Sequence, residues 1–336
     1  MIRQYSDYSL LKHNTFGIEA AAKNFVEFSA EEELAAFLRK GFSGPSLVIG
    51  GGSNLLFVNN FEGTIFHSCI KSMEVVSNES NDILLRVGSG TNWDELVAYT
   101  VAQGWYGLEN LSAIPGEVGA SAVQNVGAYG VEAGELIERV EALSIESAEK
   151  RLFSQSDCRF AYRYSIFKAE EKGKNIITHV TYRLKKSASF KLSYGNLNEK
   201  VNELGGATLA NVRKAVCEIR NAKLPLPSEI GSAGSFFMNP VVEQETAKEL
   251  LAIYPTMPQY SLTCGNVKLS AGWLVEQCGW KETPHKHVGV YKNQALVVVN
   301  RGGATGKEVL EFADAVVHSV KEKFGVELVM EVNVIR

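Results

Sequence analysis

The sequence has few cysteines, few prolines and no excess of basic residues, and each shortage excludes a class of protein. Its five cysteines form no C-x-x-C pair, so neither a disulfide scaffold nor a zinc ribbon is indicated. Lysine and arginine number 34 against 38 acidic residues, a net charge of −4 without a basic block, which argues against nucleic-acid binding. Thirty glycines against eight prolines indicate tight backbone approaches in a globular chain rather than disorder or a collagen-like repeat.

Long apolar runs are also missing. The longest aliphatic run, at 295–299, is too short to cross a membrane, and the first sixteen residues lack the apolar core of a signal peptide. We therefore expect a cytoplasmic protein with reduced thiols and no membrane partner. At about 150 residues per domain, 336 residues indicate about two domains.

Helical and extended patterns alternate along most of the chain, which favours an α/β or α+β architecture. Ser29 with Glu32 and Thr305 with Glu308 have capping-box spacing, and Asn92 with Glu95 starts another helix. The sequence predicts helices at 30–40, 92–104, 209–223, 243–253, 270–278 and from 305, and strands at 46–49, 136–147, 176–184, 235–238, 295–299 and 328–335. The breaker at 223–227 predicts a domain boundary.

Two glycine-rich segments stand out, at 50–56 and 115–130, and both carry small polar residues such as Ser53 and Asn125. One interpretation is a pair of tight turns between strands. The other is a dinucleotide pyrophosphate held by two nests of backbone N–H groups. Spacing alone leaves both open.

Other nucleotide, metal and nucleophile motifs fail on spacing. A G-x-G-x-x-G at Gly88 ends in Trp93, and the P-loop-like segment at 302–307 is followed by Glu308 where Ser or Thr is needed. His285 and His287 with Cys264 and Cys278 match no zinc template, so no metal is expected. No G-x-S-x-G elbow is present.

Five motifs in order nevertheless point to one family: Gly50-Gly51-Gly52-Ser53-Asn54-Leu55-Leu56, Ile114-Pro115-Gly116 with Gln124 to Gly130, Tyr162-Arg163, Lys223-Leu224-Pro225, and Gly234-Ser235-Phe236-Phe237 with Asn239-Pro240. Together they resemble the UDP-N-acetylenolpyruvoylglucosamine reductases of bacterial peptidoglycan precursor synthesis. The likeness runs from His13 to Glu331, nearly the whole chain.

The resemblance implies an α+β protein with the FAD-binding fold of the vanillyl-alcohol-oxidase (PCMH) type, in two α/β lobes, plus a C-terminal α+β substrate-binding domain. It places the first lobe at 1–70 with 326–336, the second at 71–208 and the substrate domain at 209–325. It implies non-covalent FAD held by Gly50, Gly51, Gly52, Ser53, Asn54, Leu55, Ile114, Pro115, Gly116, Gly119, Ser121, Gln124, Asn125, Gly127 and Ala128.

For the reaction, the resemblance implies NADPH as reductant, a nucleotide-sugar substrate and a monomeric enzyme. Arg163 matches the arginine that faces the substrate carboxylate, Ser235 the proton donor and Glu331 the acidic partner. The substrate is expected to contact Tyr162, Tyr194, Lys223, Asn239 and Gln277, with Tyr194 marking the branch whose tyrosine loop closes over the nucleotide. The chain departs from the family pattern at Ala122, Tyr164 and Met238.

Each catalytic candidate also has an ordinary structural interpretation. Ser235 could simply start a strand, Arg163 could be a solvated surface residue, and Glu331 could face solvent from a strand. At the level of function, two alternatives stay open. One is a flavin-dependent alcohol or sugar oxidase of the same fold, and the other is a non-catalytic UDP-sugar-binding protein.

Overall fold

The structure is a computed structural model that describes residues 2–226, 228–262, 265–281, 283 and 286–336. Its strands are β1 (Arg3–Ser9), β2 (Ala21–Phe28), β3 (Ser46–Ile49), β4 (Leu55–Phe57), β5 (Phe61–Ser68), β6 (Met73–Asn78), β7 (Asp82–Gly88), β8 (Gly127–Ala128), β9 (Val131–Glu132), β10 (Ile137–Ser144), β11 (Lys150–Ser154), β12 (Asn175–Lys185), β13 (Gly231–Ser235), β14 (Val241–Val242), β15 (Gln259–Ser261), β16 (Val267–Leu269), β17 (Val288–Tyr291), β18 (Gln294–Asn300) and β19 (Asn333–Ile335). Its α-helices are α1 (Glu31–Lys40), α2 (Trp93–Ala102), α3 (Val118–Gln124), α4 (Leu197–Glu203), α5 (Leu209–Lys223), α6 (Gln244–Ile253), α7 (Ala271–Gln277) and α8 (Gly306–Phe324).

The chain divides into two compact units, each built from separate stretches of sequence. The first unit comprises Met1–Tyr8, Ala22–Gly51 and Glu62–Arg220. The second unit comprises Ser9–Ala21, Gly52–Phe61 and Asn221–Arg336. The three-part division expected from the family resemblance stays a prediction.

Two sheets organise the first unit. One has the strand order β1-β2-β5-β3, with β3 and β5 parallel, and the other is β11-β10-β12-β7-β6 with antiparallel neighbours. Helix α1 buries Leu34 and Leu38 with Phe66 of β5. Helix α2 buries Trp93, whose ring meets Tyr182 of β12 edge to face at 6.0 Å. Each helix therefore covers one face of a sheet with an apolar stripe.

The second unit has smaller sheets and one long helix. Its sheets have the orders β13-β18-β17 and β14-β16-β15, and β4 pairs with β19 in parallel. Helix α8 has a complete capping box between Thr305 and Glu308, as the sequence predicts. The helix turns an apolar stripe into the core, which it shares with α7 and β18: Val309, Phe312, Ala313, Val316 and Val320.

Two predicted helices are confirmed, but the predicted N-cap is correct in only one of them. The helix predicted at 30–40 is α1, but its N-cap is Ala30 with no side-chain hydrogen bond, so the Ser29–Glu32 capping box is wrong because the helix starts one residue too late for that pair. Asn92 caps α2 by accepting from the Asp94 and Glu95 amides, as predicted.

Two predicted strands of the second unit are shorter than expected. The strand predicted at 235–238 is β13, which ends at Ser235, and beyond it Phe237 forms a single bridge with Met330. The strand predicted at 328–335 is limited to β19. The residues beyond the two regular strands pair with each other only through single contacts, such as the Phe237–Met330 bridge and the hydrogen bond from the Met238 amide to the Val329 carbonyl.

The described helices include none with the length and apolarity needed to cross a membrane. Four of the five cysteines, namely Cys69, Cys158, Cys217 and Cys278, are free thiols. Cys264 and His285, which the sequence analysis considered as metal ligands and set aside, lie outside the described residues.

Candidate cofactor and active site

The two glycine-rich segments meet at close range within the first unit. A Cβ built on Gly51 would lie 3.2 Å from Cα of Gly116, and one built on Gly50 would lie 3.2 Å from Oε2 of Glu117. The backbone at Gly51 is therefore packed tightly against the backbone at Gly116, and a side chain there would require a small shift of the neighbour. Two glycine backbones this close together are compatible with a nest, or cradle, of N–H groups, so the packing fits the predicted pyrophosphate site.

Main-chain hydrogen bonds to the preceding loop fix the position of the second glycine segment. Trp93 donates its amide to the Gly116 carbonyl at 3.0 Å, and Gly119 donates to the Ser89 carbonyl at 2.9 Å. A Cβ on Gly119 would lie 3.0 Å from Cβ of Ser89, so this packing is also tight. Ser121 is buried, and its hydroxyl shares a 2.7 Å hydrogen bond with the Tyr182 hydroxyl.

Helix α3 occupies part of the glycine-rich region that the sequence analysis treated as loop, and it ends at Asn125 in the left-handed conformation with φ 44°. The Asn125 amide donates to Glu132 Oε2 at 2.6 Å and to the Ala161 carbonyl at 2.8 Å. Its Oδ1 accepts from the Gly134 amide at 2.8 Å. Asn125 thus ties the end of the predicted cofactor segment to the chain that leads into Tyr162 and Arg163.

Arg163 lies against that same segment. Its Nη2 donates to the Gly127 carbonyl at 3.0 Å, and its guanidinium carbon lies 5.4 Å from the centre of the Tyr162 ring. Its φ of 54° is in the left-handed region that non-glycine residues seldom occupy. Such backbone strain persists only where the surroundings enforce it, and it clusters at functional sites. The sequence-predicted Arg163, Tyr162, Asn125 and Gly127 are therefore brought together.

Arg220 on α5 is a further cation of this region that sequence reasoning missed. Its Nε donates to the Ala113 carbonyl at 3.2 Å, next to the Ile114-Pro115 motif. Burial lowers the pKa of Arg220 and the nearby Arg163 charge acts in the same direction, while Tyr129 acts to raise it. Its position in the sequence could have indicated its burial. Arg220 follows Val216 by four residues, so it falls on the apolar stripe of the helix, which faces the interior.

Tyr194 packs beside Tyr129, which follows Gly127 and Ala128 in the motif. The two rings meet edge to face with centroids 5.8 Å apart, and Tyr194 is 46% exposed. The Asn110 amide donates to the carbonyls of Tyr129 and Lys191 at 2.9 and 2.7 Å, which links the two chain segments. The tyrosine loop is thus positioned by contacts with the second glycine segment.

In the second unit, Ser235 and Glu331 lie on adjoining backbone segments. Ser235 is the last residue of β13 and pairs with Val297, and the next residue, Phe236, donates its amide to the Leu296 carbonyl at 2.7 Å. The Phe236 carbonyl accepts from the Glu331 amide at 2.8 Å. Both Ser235 and Glu331 are half-buried.

Asn54 joins the first glycine segment to the chain around Glu331. Its Nδ2 donates to the Glu331 carbonyl at 3.2 Å, and its own carbonyl accepts from the Asn333 amide at 3.1 Å. Gly52 has φ 66°, and a Cβ there would lie 1.9 Å from the His13 carbonyl oxygen, so only glycine fits. Gly52, Ser53, Asn54 and Leu55 therefore lie in the same unit as Ser235 and Glu331.

The other predicted substrate residues lie at or beside the ends of α5 and α7. Asn239 Oδ1 accepts from the Ala271 amide at 3.0 Å and so helps to fix the first turn of α7. Gln277 is exposed at the end of α7, where its carbonyl accepts from Lys323. Lys223 is exposed at the end of α5. Of the departures from the family pattern, Met238 donates its amide to the Val329 carbonyl at 2.9 Å.

Comparison with known sequences matches both parts of the chain. Residues 226–335 match the family model described as UDP-N-acetylenolpyruvoylglucosamine reductase, C-terminal domain, and residues 22–147 match an FAD binding domain. A UDP-N-acetylenolpyruvoylglucosamine reductase of Bacteroides fragilis strain YCH46 is 49% identical over 329 residues, covering 98% of this chain and 99% of the relative. One from Porphyromonas gingivalis strain W83 is 48% identical over 337 residues, covering 99% of each.

Two solved structures resemble the fold. The crystal structure of UDP-N-acetylenolpyruvylglucosamine reductase from Thermus caldophilus has a TM-score of 0.69 at 22% identity and covers 100% of this chain and 99% of that one. A solvent-stable cholesterol oxidase has a TM-score of 0.52 at 11% identity and covers 98% and 87%. Together with the FAD-binding domain, these likenesses confirm the predicted fold class.

Proposed function

This chain belongs to the UDP-N-acetylenolpyruvoylglucosamine reductase family, and on that premise we propose that it uses NADPH and FAD to reduce UDP-N-acetylglucosamine enolpyruvate to UDP-N-acetylmuramate. This reaction belongs to peptidoglycan precursor synthesis. The proposal rests on one observation: the chain is 48–49% identical to UDP-N-acetylenolpyruvoylglucosamine reductases over 99% of their length. We further propose that the protein acts in the cytoplasm as a monomer.

The glycine segments would hold the cofactor. Backbone N–H groups around Gly50, Gly51 and Gly116 can face a pyrophosphate, and the close approach of these backbones supports this assignment. Neither segment contains histidine or cysteine, the residues that would link a flavin covalently, so the FAD is bound non-covalently. When bound, FAD supplies the hydride-transfer chemistry that side chains lack.

Arg163 is proposed to face the carboxylate of the enolpyruvyl group. Hydride addition at the terminal carbon of that group moves negative charge into the carboxylate, giving an enediolate-like anion. A guanidinium offers two parallel N–H donors to such a group and stabilises the developing charge. The contacts with Gly127 and Tyr162 support this role, because they hold the Arg163 side chain in one orientation.

Ser235 is proposed to donate the proton that completes the reaction. The carbon next to the carboxylate becomes strongly basic after hydride addition, so a hydroxyl held beside it can give up its proton. Glu331 would then orient a water or return a proton to the serine. Their positions on adjoining segments, joined by the Phe236–Glu331 hydrogen bond, support a shared role.

The nucleotide part of the substrate is assigned to Tyr162, Tyr194, Lys223, Asn239 and Gln277. The exposed Lys223 offers an ammonium group to a diphosphate. The Oδ1 of Asn239 is engaged with α7, so this residue would act through its amide nitrogen as a donor. Tyr194 is 46% exposed, so a nucleotide can reach its ring, which supports this assignment.

An anaerobic titration tests the function directly. The purified protein should be yellow, NADPH should bleach the flavin absorbance, and the enolpyruvyl substrate should then restore it. A protein that takes up no FAD on reconstitution would overturn the proposal. Flavin that remains with acid-precipitated polypeptide would favour the oxidase alternative, and tight UDP-sugar binding without reoxidation would favour a non-catalytic binding protein.

A further inference from the structure

His67 on β5 lies between two carboxylates in the first unit. Its Nδ1 is 3.2 Å from Glu27 Oε1, and its Nε2 is 3.1 Å from Glu117 Oε1. All three side chains are largely buried, with 13% to 16% exposure. A neutral imidazole has one N–H donor and one acceptor, so it would turn a lone pair toward one of these carboxylates. Only the doubly protonated ring donates to both.

The surrounding groups balance the charge of this cluster. Arg3 lies 3.1 Å from Glu27 Oε2, and Cys69 donates weakly to Glu27 Oε1 at 3.8 Å. The tyrosines Tyr5 and Tyr8 of β1 also interact electrostatically with Arg3 or Glu27. With His67 protonated, the two cations and two carboxylates sum to zero.

A metal ion does not fit this cluster well, although Glu27, His67 and Cys69 have suitable ligand atoms. The Arg3 guanidinium already lies on both Glu27 and the Cys69 sulfur, where a cation would bind. Burial raises the pKa of the Cys69 thiol, with Glu27 acting in the same direction, which disfavours a thiolate ligand. For His67, burial acts to lower the pKa, but hydrogen bonds and charges of Glu117 and Glu27 outweigh it and raise the pKa.

Glu117 connects this cluster to the predicted pyrophosphate cradle. It lies between Gly116 and Val118 in the second glycine segment, and its Oε2 is the atom that a Cβ on Gly50 would approach to 3.2 Å. One oxygen of the carboxylate therefore faces His67 while the other lies beside the first glycine segment. A carboxylate in that place repels a pyrophosphate unless a neighbouring cation neutralises it.

We propose that His67 is a positioning residue of the cofactor site, which holds Glu117 between the two glycine segments and supplies the charge that lets the FAD pyrophosphate approach it. This inference rests on the proposed function, because it assigns the cradle to FAD. It makes FAD affinity dependent on pH. Binding is tight while His67 is protonated and weakens as the pH rises through the raised pKa of His67.

The test measures the Kd of FAD by diluting the holoprotein and recording the fluorescence of released flavin, at pH values from mildly acidic to mildly alkaline. For the unmodified protein we expect the Kd to rise about tenfold over this range, the size expected for losing one nearby charge. His67→Gln should bind weakly at every pH. Glu117→Gln should bind tightly with no pH dependence, and His67→Gln should have no further effect in that background.

A matched control is His179→Gln, which alters a histidine that pairs with Glu31 elsewhere in the first unit and should leave the pH dependence unchanged. The inference would be overturned if Glu117→Gln kept the pH dependence of the FAD Kd. It would also be overturned if adding His67→Gln to Glu117→Gln abolished FAD binding. Either result would leave the proposed function intact. Absence of FAD from every form would overturn both.

Should a variant fail to fold, an NMR titration of His67 in the unmodified protein decides the question. Linkage requires that FAD binding raise the pKa of His67 if protonation favours FAD. An equal pKa before and after FAD release contradicts the proposal.

Discussion

The two units stabilise their interiors by different means. In the first unit, Arg86 donates two hydrogen bonds of 2.8 Å to Glu141, whose side chain is only 5% exposed. In the second unit, a typical ion pair such as Lys321–Glu327 joins side chains that are 59% and 66% exposed. Solvent screens the second kind of pair but hardly the first.

The same difference separates the helices that pack on each core. Near the start of α1, the Glu31 carboxylate accepts from Thr178 at 2.5 Å and lies 3.0 Å from His179, so charge helps to dock this helix on the five-stranded sheet. Helix α8 packs through apolar residues such as Phe312 and Val316. The stability of the first unit should therefore depend on pH more than that of the second.

The largest expected effect lies in the second unit and concerns catalysis rather than stability. Ser235→Ala should slow flavin reoxidation by the enolpyruvyl substrate by about 10²- to 10⁴-fold, because a general acid is lost. Flavin reduction by NADPH should stay nearly unchanged, as stopped-flow absorbance can show. Ser232→Ala on the same strand is the matched control. Equal losses in both half-reactions would argue against proton donation.

Removing the buried charge should destabilise the first unit most. Glu141→Gln leaves Arg86 without its bidentate partner and should lower the free energy of unfolding by about 3 kcal/mol. The matched change Glu327→Gln in the second unit should cost less than about 0.5 kcal/mol. Hydrogen exchange of β12 and α8 amides reports each unit separately. If both variants lost a similar free energy of unfolding, the proposed difference between the units would be wrong.

The second unit should depend on a neutral polar contact instead. Asn300 is 8% exposed, donates to the Phe16 carbonyl at 2.9 Å and accepts from the Gly302 amide at 2.9 Å. Asn300→Ala should therefore cost about 1 to 3 kcal/mol, because buried partners lose their hydrogen bonds. The exposed Asn293, which donates to the Ala222 carbonyl, provides the control substitution. Equal effects of the two alanine variants in urea unfolding would show that burial of Asn300 has little importance.

Acid should destabilise the first unit more than the second, and this difference is the smallest of those predicted. The hydrogen bonds from Arg86, aided by Lys150, lower the pKa of Glu141 from 4.5 to about 2. Its contribution to stability is therefore complete above about pH 4.5 and is lost as the pH falls toward about 2. In the second unit, hydrogen bonds with Thr305 and His287 lower the pKa of Glu308 to about 2, but its side chain is 43% exposed and solvent screens the effect. Hydrogen exchange at decreasing pH should show β12 losing protection before α8, and the reverse order would contradict this.

How far the sequence predicts the fold depends on the length of each pattern. Long amphipathic stretches such as α5 and α8 are predicted correctly because their apolar stripe repeats over several turns. The short α3 was missed, since its composition of glycine, alanine and serine resembles a loop. The ends of β13 and β19 depend on pairing partners that are distant in sequence, and local patterns carry no information about them.

The candidate site shows the same limit. The motifs found the glycine segments, Arg163 and Ser235 because these residues occur in recognisable strings, whereas Glu331 came only from the family resemblance. Nothing in the neighbourhood of His67 marks it, because Glu27 and Glu117 lie 40 and 50 residues away along the chain. Contacts of this kind arise only when the sheet forms.

The parallel pairing of β4 with β19 has a consequence for synthesis on the ribosome. These strands lie far apart in the sequence, since Leu55 pairs with Asn333, and the second unit takes its other early segment from Ser9–Ala21. Proteins emerge N-terminus first, so most of the first unit is complete while apolar residues such as Phe16 and Leu56 still await their partners. Until the last strand leaves the ribosome, those two short segments lack the strand and the core residues that bury them in the folded protein.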